Sequence, residues 1–195
     1  MNIDWNAIAA VASAIAALAA VATAIVAYCQ TRGASAIAKS TAGQALELAK
    51  FNAEFLSVQH LDDQWQSQHM AELRGSAAKA LLEGKTNLDL DQILDFFEEI
   101  ARLVKRGILP IETAWEAYYW PISNYWRVSS AYAQKTRDDE WATWNNLPTM
   151  VAAMREVEAK ESKRAINQIG PSETQAKEFL ENECKLKSGA SKIDE

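Results

Sequence analysis

Hydrophobic and polar positions divide the chain into two unlike parts. Residues 7–28, AIAAVASAIAALAAVATAIVAY, carry no charge, whereas every Lys and Arg lies beyond residue 28. As a helix the run spans ~33 Å at ~1.5 Å per residue, enough for a hydrocarbon core of ~30 Å. Trp5 and Tyr28 flank it, residue types that favour membrane interfaces. The pattern predicts one amino-terminal transmembrane helix. A cleaved signal peptide fits less well, because Asp4 rather than a basic residue precedes the run. A soluble coiled coil would use the seam Ile8, Val11, Ile15, Leu18, Ala22 and Ile25, but its outer positions would need charges that are missing. Insertion is only marginally driven, since Ala dominates and the Ile, Leu and Val residues together contribute about −2 to −4 kcal/mol. Arg32, Lys39 and Lys50 follow the run, so the positive-inside rule leaves the amino terminus outside and the rest in the cytoplasm.

Beyond the run the apolar period is helical throughout. Residues 34–73 predict a long first helix, with a stripe of Ala45, Leu48, Phe51, Phe55, Val58 and Leu61. Gly43 is its soft spot, and a short amphipathic segment after Gly75 ends at Gly84. The clearest helix is NLDLDQILDFFEEIARLVKRG, capped by Asn87 or Asp89 and stopped by Gly107. Its stripe of Ile93, Phe97, Ile100 and Val104 is widened by Leu94, Phe96, Ala101 and Leu103, which predicts a central helix covered on several sides. Pro110 opens the next helix, where Trp115, Tyr119, Ile122 and Trp126 recur at steps of four, three and four and predict a buried face. Pro121 should kink it. Pro148 begins a helix that runs to Gly170, and Ser172 with Gln175 predicts a capping box for a short last helix. The tail beyond Lys187 reads as disordered.

No strand pattern occurs, so the predicted fold class is all-α. One transmembrane helix is followed by a cytoplasmic bundle of four to six helices with a long first helix. The expected divisions are an anchor over 1–28, a linker or stalk over 29–43, a helical domain over 44–170, and a short helix with a disordered tail over 171–195.

Composition narrows the function classes. A net charge of −6 disfavours nucleic acid, which is held mainly by Lys and Arg meeting phosphates. Cys29 and Cys184 lie far apart and form no disulfide framework or metal pair. His60 and His69 lack neighbouring ligands, and no H-E-x-x-H, G-x-S-x-G or glycine-rich phosphate motif is present. Glu98 and Glu99 read as a solvated helix face, with Glu98 placed for an i,i+4 contact to Arg102. No catalytic, cofactor-binding or metal residue is therefore expected. In AYYWPISNYW, residues 117–126, Tyr118, Trp120 and Tyr125 lie off the predicted buried stripe around Pro121. With Arg127 they form the candidate interaction surface.

The segment FFEEIARLVKRGIL, the Trp-bearing helix after it and the NYWR stretch resemble a bacterial family described only as a domain of unknown function (domain of unknown function 4760). Phe96, Phe97 and Glu98 carry the resemblance, supported by Arg102, Gly107, Trp115 and Trp126. It implies a small membrane-anchored helical protein of the bacterial inner membrane and supplies no activity. The polar stretch after about Lys160 departs from the common plan. Together these features predict a single-pass protein carrying a cytoplasmic helical protein-interaction module. Its partners would be the bilayer through residues 7–28, an unknown protein and a second copy of itself. Small residues at four-residue spacing, Ala9-Ser13-Ala17, allow such self-association. A membrane-active effector oligomerising through the Ala-rich helix is the alternative, and an enzyme with an unrecognised site the next.

Overall fold

The computed structural model describes residues 41–140 and 142–189, with Thr23, Tyr28 and Lys39 singly, and for 187–189 the backbone alone. The predicted transmembrane run apart from Thr23 and Tyr28, the predicted 29–43 stalk up to residue 40 apart from Lys39, and residues 190–195 lie outside the described ones, while 41–43 of that stalk are helical. Among the described residues no helix is long and apolar enough to cross a membrane. Every regular element described is a helix: α1 (41–66), α2 (Gln68–Leu82), α3 (Leu88–Lys105), α4 (Ile111–Asp139), α5 (Leu147–Ser162) and α6 (Glu173–Gly189), with a 3₁₀ turn at Ile166–Gln168. The predicted all-α bundle is observed.

The chain divides into two units, Met1–Phe51 and Asn52–Glu195. In the first, the described residues 41–51 are helical and exposed, including Leu46, Leu48 and Phe51. Lys50 donates to Glu47 across 3.1 Å, a solvent-exposed i,i+3 pair worth a few tenths of a kcal/mol.

The second unit is built around α3. Asn87 Oδ1 accepts from Leu90 N at 3.0 Å, so the predicted cap starts the helix. Gly107, at φ +67, ends it in the left-handed region that glycine adopts without Cβ strain. Between these ends Leu90, Ile93, Leu94, Phe96, Phe97, Ile100 and Ala101 are buried. α3 contacts α2, α4 and α5, which explains why its apolar stripe exceeds one face. Trp65 from α1 stacks on Phe96 at 5.2 Å between centroids, and Tyr118 from α4 meets Phe96 edge-on at 6.1 Å. Each such ring adds ~0.5–1.5 kcal/mol beyond its area burial.

Several expected boundaries move. The first long helix bends at Ser67, whose Oγ accepts from Met70 N at 3.1 Å, and Gly75 lies buried inside α2 instead of breaking it. The stripe predicted along α1 is covered only toward its end. Leu61 is fully buried and Val58 partly so, while Phe55 stays exposed. α5 ends at Ser162 with Lys163 in the left-handed conformation, short of the predicted Gly170. The capping box at Ser172 forms, with Gln175 N donating to Ser172 Oγ at 3.2 Å and Ser172 N to Gln175 Oε1 at 2.9 Å. The helix it opens is long rather than short and runs to Gly189, past the point where disorder was expected.

α6 docks on α2 and α4. Ala176, Leu180 and Glu183 are its buried residues. Glu183 receives Arg74 in a bidentate pair, Nε at 2.5 Å and Nη2 at 2.8 Å, with both side chains about a tenth exposed. Arg74 also donates to Trp65 O at 3.2 Å and lies 4.1 Å from the Trp65 ring centroid. Tyr125 OH donates to Arg74 O at 3.2 Å, so one buried network joins α1, α2, α4 and α6.

Candidate functional site

α4 decides which aromatic rings are core. Its buried residues include Ala114, Tyr118, Ile122, Tyr125, Ser129 and Ala133, spaced four, four, three, four and four, with Ser123 and Asn124 buried beside Ile122 and Tyr125. This face is turned by about one residue from the predicted stripe, leaving Trp115, Tyr119 and Trp126 only partly buried. The reason is steric: Ala114, Ser129 and Ala133 let neighbouring helices approach, and the rings between them are enclosed by that approach.

Two members of the predicted interaction surface are therefore corrected. Tyr118 is 1% exposed and Tyr125 0%. Tyr118 OH donates to Asp62 at 2.5 Å, tying α4 to α1. Burial first, then that hydrogen bond and the Asp62 charge, push the Tyr118 phenol well above its ordinary range. Burial does the same at Tyr125, reinforced by the Glu183 carboxylate. Trp120 and Arg127 remain on the surface, Trp120 at 50% exposure. Seven residues apart, they share a face of α4, ~10.5 Å along its axis. Pro121 lies between them inside an unbroken α4, and its ring removes the N–H that Ala117 O would accept.

Below Trp120 on that face, Ser123, Trp126, Arg127 and Ser130 border a groove against Val151 and Arg155 of α5. Ile169, Gly170 and Pro171 close its far side, and the volume is ≈ 210 Å³. Gly170, at φ +110, allows the chain to turn there. Arg155 Nη2 donates to Ile169 O at 3.2 Å and Ile166 O at 3.4 Å, latching this turn to α5. No carboxylate lines the groove, and among the described residues neither Arg127 nor Arg155 is within ion-pair distance of one.

A second hollow of ≈ 580 Å³, by Asp95, Glu98, Arg102 and Asn146, is different in kind because its acids are engaged. Glu98 is buried and accepts from Leu147 N at 2.9 Å, Asn146 N at 3.1 Å and Asn146 Nδ2 at 2.5 Å. It caps the amino end of α5, where the helix dipole favours a negative charge. The expected solvated Glu98 paired with Arg102 is thus replaced by a structural anchor from α3 to α5. Lys105 Nζ donates to Asn146 Oδ1 at 2.8 Å, and Trp144 Nε1 to Asp95 Oδ1 at 2.8 Å. Trp144 adopts φ +47 to reach that position. His60 and His69 are exposed, and no group of three potential metal ligands occurs among the described residues.

The segment FFE that marks the sequence thus has a physical meaning: two core rings and the carboxylate that starts the helix behind them. The family model described as Domain of unknown function (DUF4760) matches residues 7–155, well over half of the chain. The chain belongs to that family. Within the DUF4760 match lie the whole of the uncharged run and the α4 and α5 walls of the groove, whereas Ile169–Pro171 and α6 lie beyond it. No curated protein and no solved structure matches the chain.

Of the groove residues, sequence reasoning found only Arg127. Ser123, Arg127 and Ser130 repeat at steps of four and three and so carry a face signal. Arg155 carries none, because only the fold brings α5 beside α4.

Proposed function

We propose that the protein is a single-pass membrane protein of a bacterial cell whose helical head, residues 52–189, is a binding module. Its amino terminus lies outside and the head in the cytoplasm, and the head recognises its partner through the α4 face bearing Trp120, Arg127 and the groove. The observation that carries the reading is the uncharged run 7–28, long enough to span a bilayer, ahead of a separately compact helical unit. Inclusion of that run in the family match supports treating anchor and head as one plan. Trp120 and Arg127, exposed on one face of α4, are residue types enriched at interaction hot spots.

Alkaline-carbonate extraction of membranes from cells making the full chain tests the tether. Retention in the pellet, with the head digested by protease only after the membrane is opened, is the expected result. Complete release into the supernatant would remove the anchor from the account.

A further inference from the structure

Two guanidinium groups border one groove that no carboxylate lines, in a chain of net charge −6. Three cations of the head meet a carboxylate, Arg74 with Glu183, Arg164 with Glu158 and Lys85 with Glu83, while others such as Arg102 and Arg106 lie on the surface without one. Arg127 and Arg155 instead border the groove without a carboxylate among its lining. Arg155 donates to the carbonyls of Ile166 and Ile169, which hold the side chain in place without neutralising it. Arg127 makes no hydrogen bond to a described residue. A guanidinium held by backbone carbonyls and a second that is uncommitted thus line one groove, and both are donors suited to an oxyanion.

The rest of the lining is mixed, Ser123 and Ser130 standing beside an apolar set. Trp126, Val151, Ile169 and Pro171 supply apolar walls, with Val151 and Ile169 each nearly buried. Hydrophobic walls with a few convergent polar groups are the usual make-up of a small-molecule site. The volume of ≈ 210 Å³ corresponds to about seven waters at ~30 Å³ each, or an organic molecule of roughly ten non-hydrogen atoms.

We propose that the groove between α4 and α5 binds a small amphipathic organic anion, its carboxylate or phosphate meeting Arg127 and Arg155 and its apolar body lying against Trp126 and Val151. The proposal deepens the reading of the head as a binding module and rests on it. The tether is tested separately by carbonate extraction, so loss of the ligand class would leave the anchor standing. Ser123 and Ser130 add hydroxyl groups on the same wall of α4. A free inorganic anion would use the guanidiniums and leave the walls empty. A neutral aromatic would use the walls and leave two cations without a partner.

The test is a ligand-observed NMR titration of the full chain in a non-ionic detergent. Phenyl phosphate and benzoate are the probes, with inorganic phosphate and benzyl alcohol as controls. Saturable binding of both probes is expected in the millimolar range or tighter, at least ~10-fold tighter than either control. Arg127→Gln should weaken the probes ~10-fold or more while leaving the thermal melt of the chain in place. Ser130→Glu, which puts a carboxylate into the groove, should weaken them as much by repulsion. No saturable binding of the probes up to about 20 mM would overturn the proposal, as would unchanged affinity in both variants. Equal affinity for benzyl alcohol would remove the anion, and equal affinity for inorganic phosphate would remove the apolar body.

Discussion

Replacing Glu98 by Gln separates two physical pictures of the same residue. On an exposed helix face, a Glu opposite Arg102 contributes a few tenths of a kcal/mol. In the structure both carboxylate oxygens accept, from Leu147 N, Asn146 N and Asn146 Nδ2, at 2.5–3.2 Å. A Gln amide has one acceptor, so its NH₂ must face either the Leu147 N–H or the Asn146 amide. Losing one charge-assisted hydrogen bond costs ~1.5–3 kcal/mol. Losing the charge at the amino end of α5 adds ~0.3–1 kcal/mol, more where the site is partly buried. The expected total is about 3 kcal/mol. For a chain of this size that lowers the melting temperature by ~6–12 °C, at ~2–4 °C per kcal/mol. The assay is thermal denaturation of the full chain, followed by circular dichroism at 222 nm. Glu99→Gln is the control, expected to stay within ~0.5 kcal/mol. A Glu98→Gln shift under ~2 °C would refute the anchor and restore the solvated face.

The Arg74–Glu183 pair makes a two-part prediction. Glu183→Leu alone leaves a buried guanidinium and should cost ~3–5 kcal/mol in a urea titration, whereas Arg74→Met with Glu183→Leu should recover most of it; equal losses in single and double variants would contradict this. Alkaline stability follows from the buried phenols. Tyr118 and Tyr125 titrate higher folded than unfolded, so their stabilisation is complete below pH ~10 and is lost as pH rises beyond it. Their tyrosinate absorbance at 295 nm should appear together with loss of helix, and smooth ionisation near pH 10 in a folded chain would oppose the assignment. Trp120→Ala should leave stability within ~0.5 kcal/mol, because half of that ring is already in water, whereas Trp65→Ala should cost ~3–5 kcal/mol in the same melt.

Elements that announce themselves locally were legible in the sequence. α3 has a cap residue, a wide apolar stripe and a terminal Gly, and all three act as their chemistry requires. The Ser172–Gln175 box is equally local. What misled was size. Large rings at helical spacing suggested one face of α4, but Ala114, Ser129 and Ala133 mark the face that lies closest to its neighbours. Gly75 misled in the same way, reading as a break while standing buried inside α2. Glu98 was misassigned because its donors belong to residues 146 and 147, far along the chain. The length of α6 was hidden by a narrow seam, Ala176, Leu180 and Glu183, in an otherwise charged segment. Half of the groove shares that limit. Arg127 is visible on α4, but its companion Arg155 comes into range only through the packing of α4 on α5.

The central claim is that the head binds through the α4 face. Site-specific photo-crosslinking in intact membranes tests it most directly, with the photoreactive side chain replacing Trp120 in one full-length chain and Leu88 in another. Leu88 is 79% exposed at the start of α3, so both positions are open to collision. An adduct formed from position 120, absent from position 88 and lost in the Arg127→Gln background, is the predicted result. The same adduct pattern from both positions, or one from position 88 alone, would contradict the account.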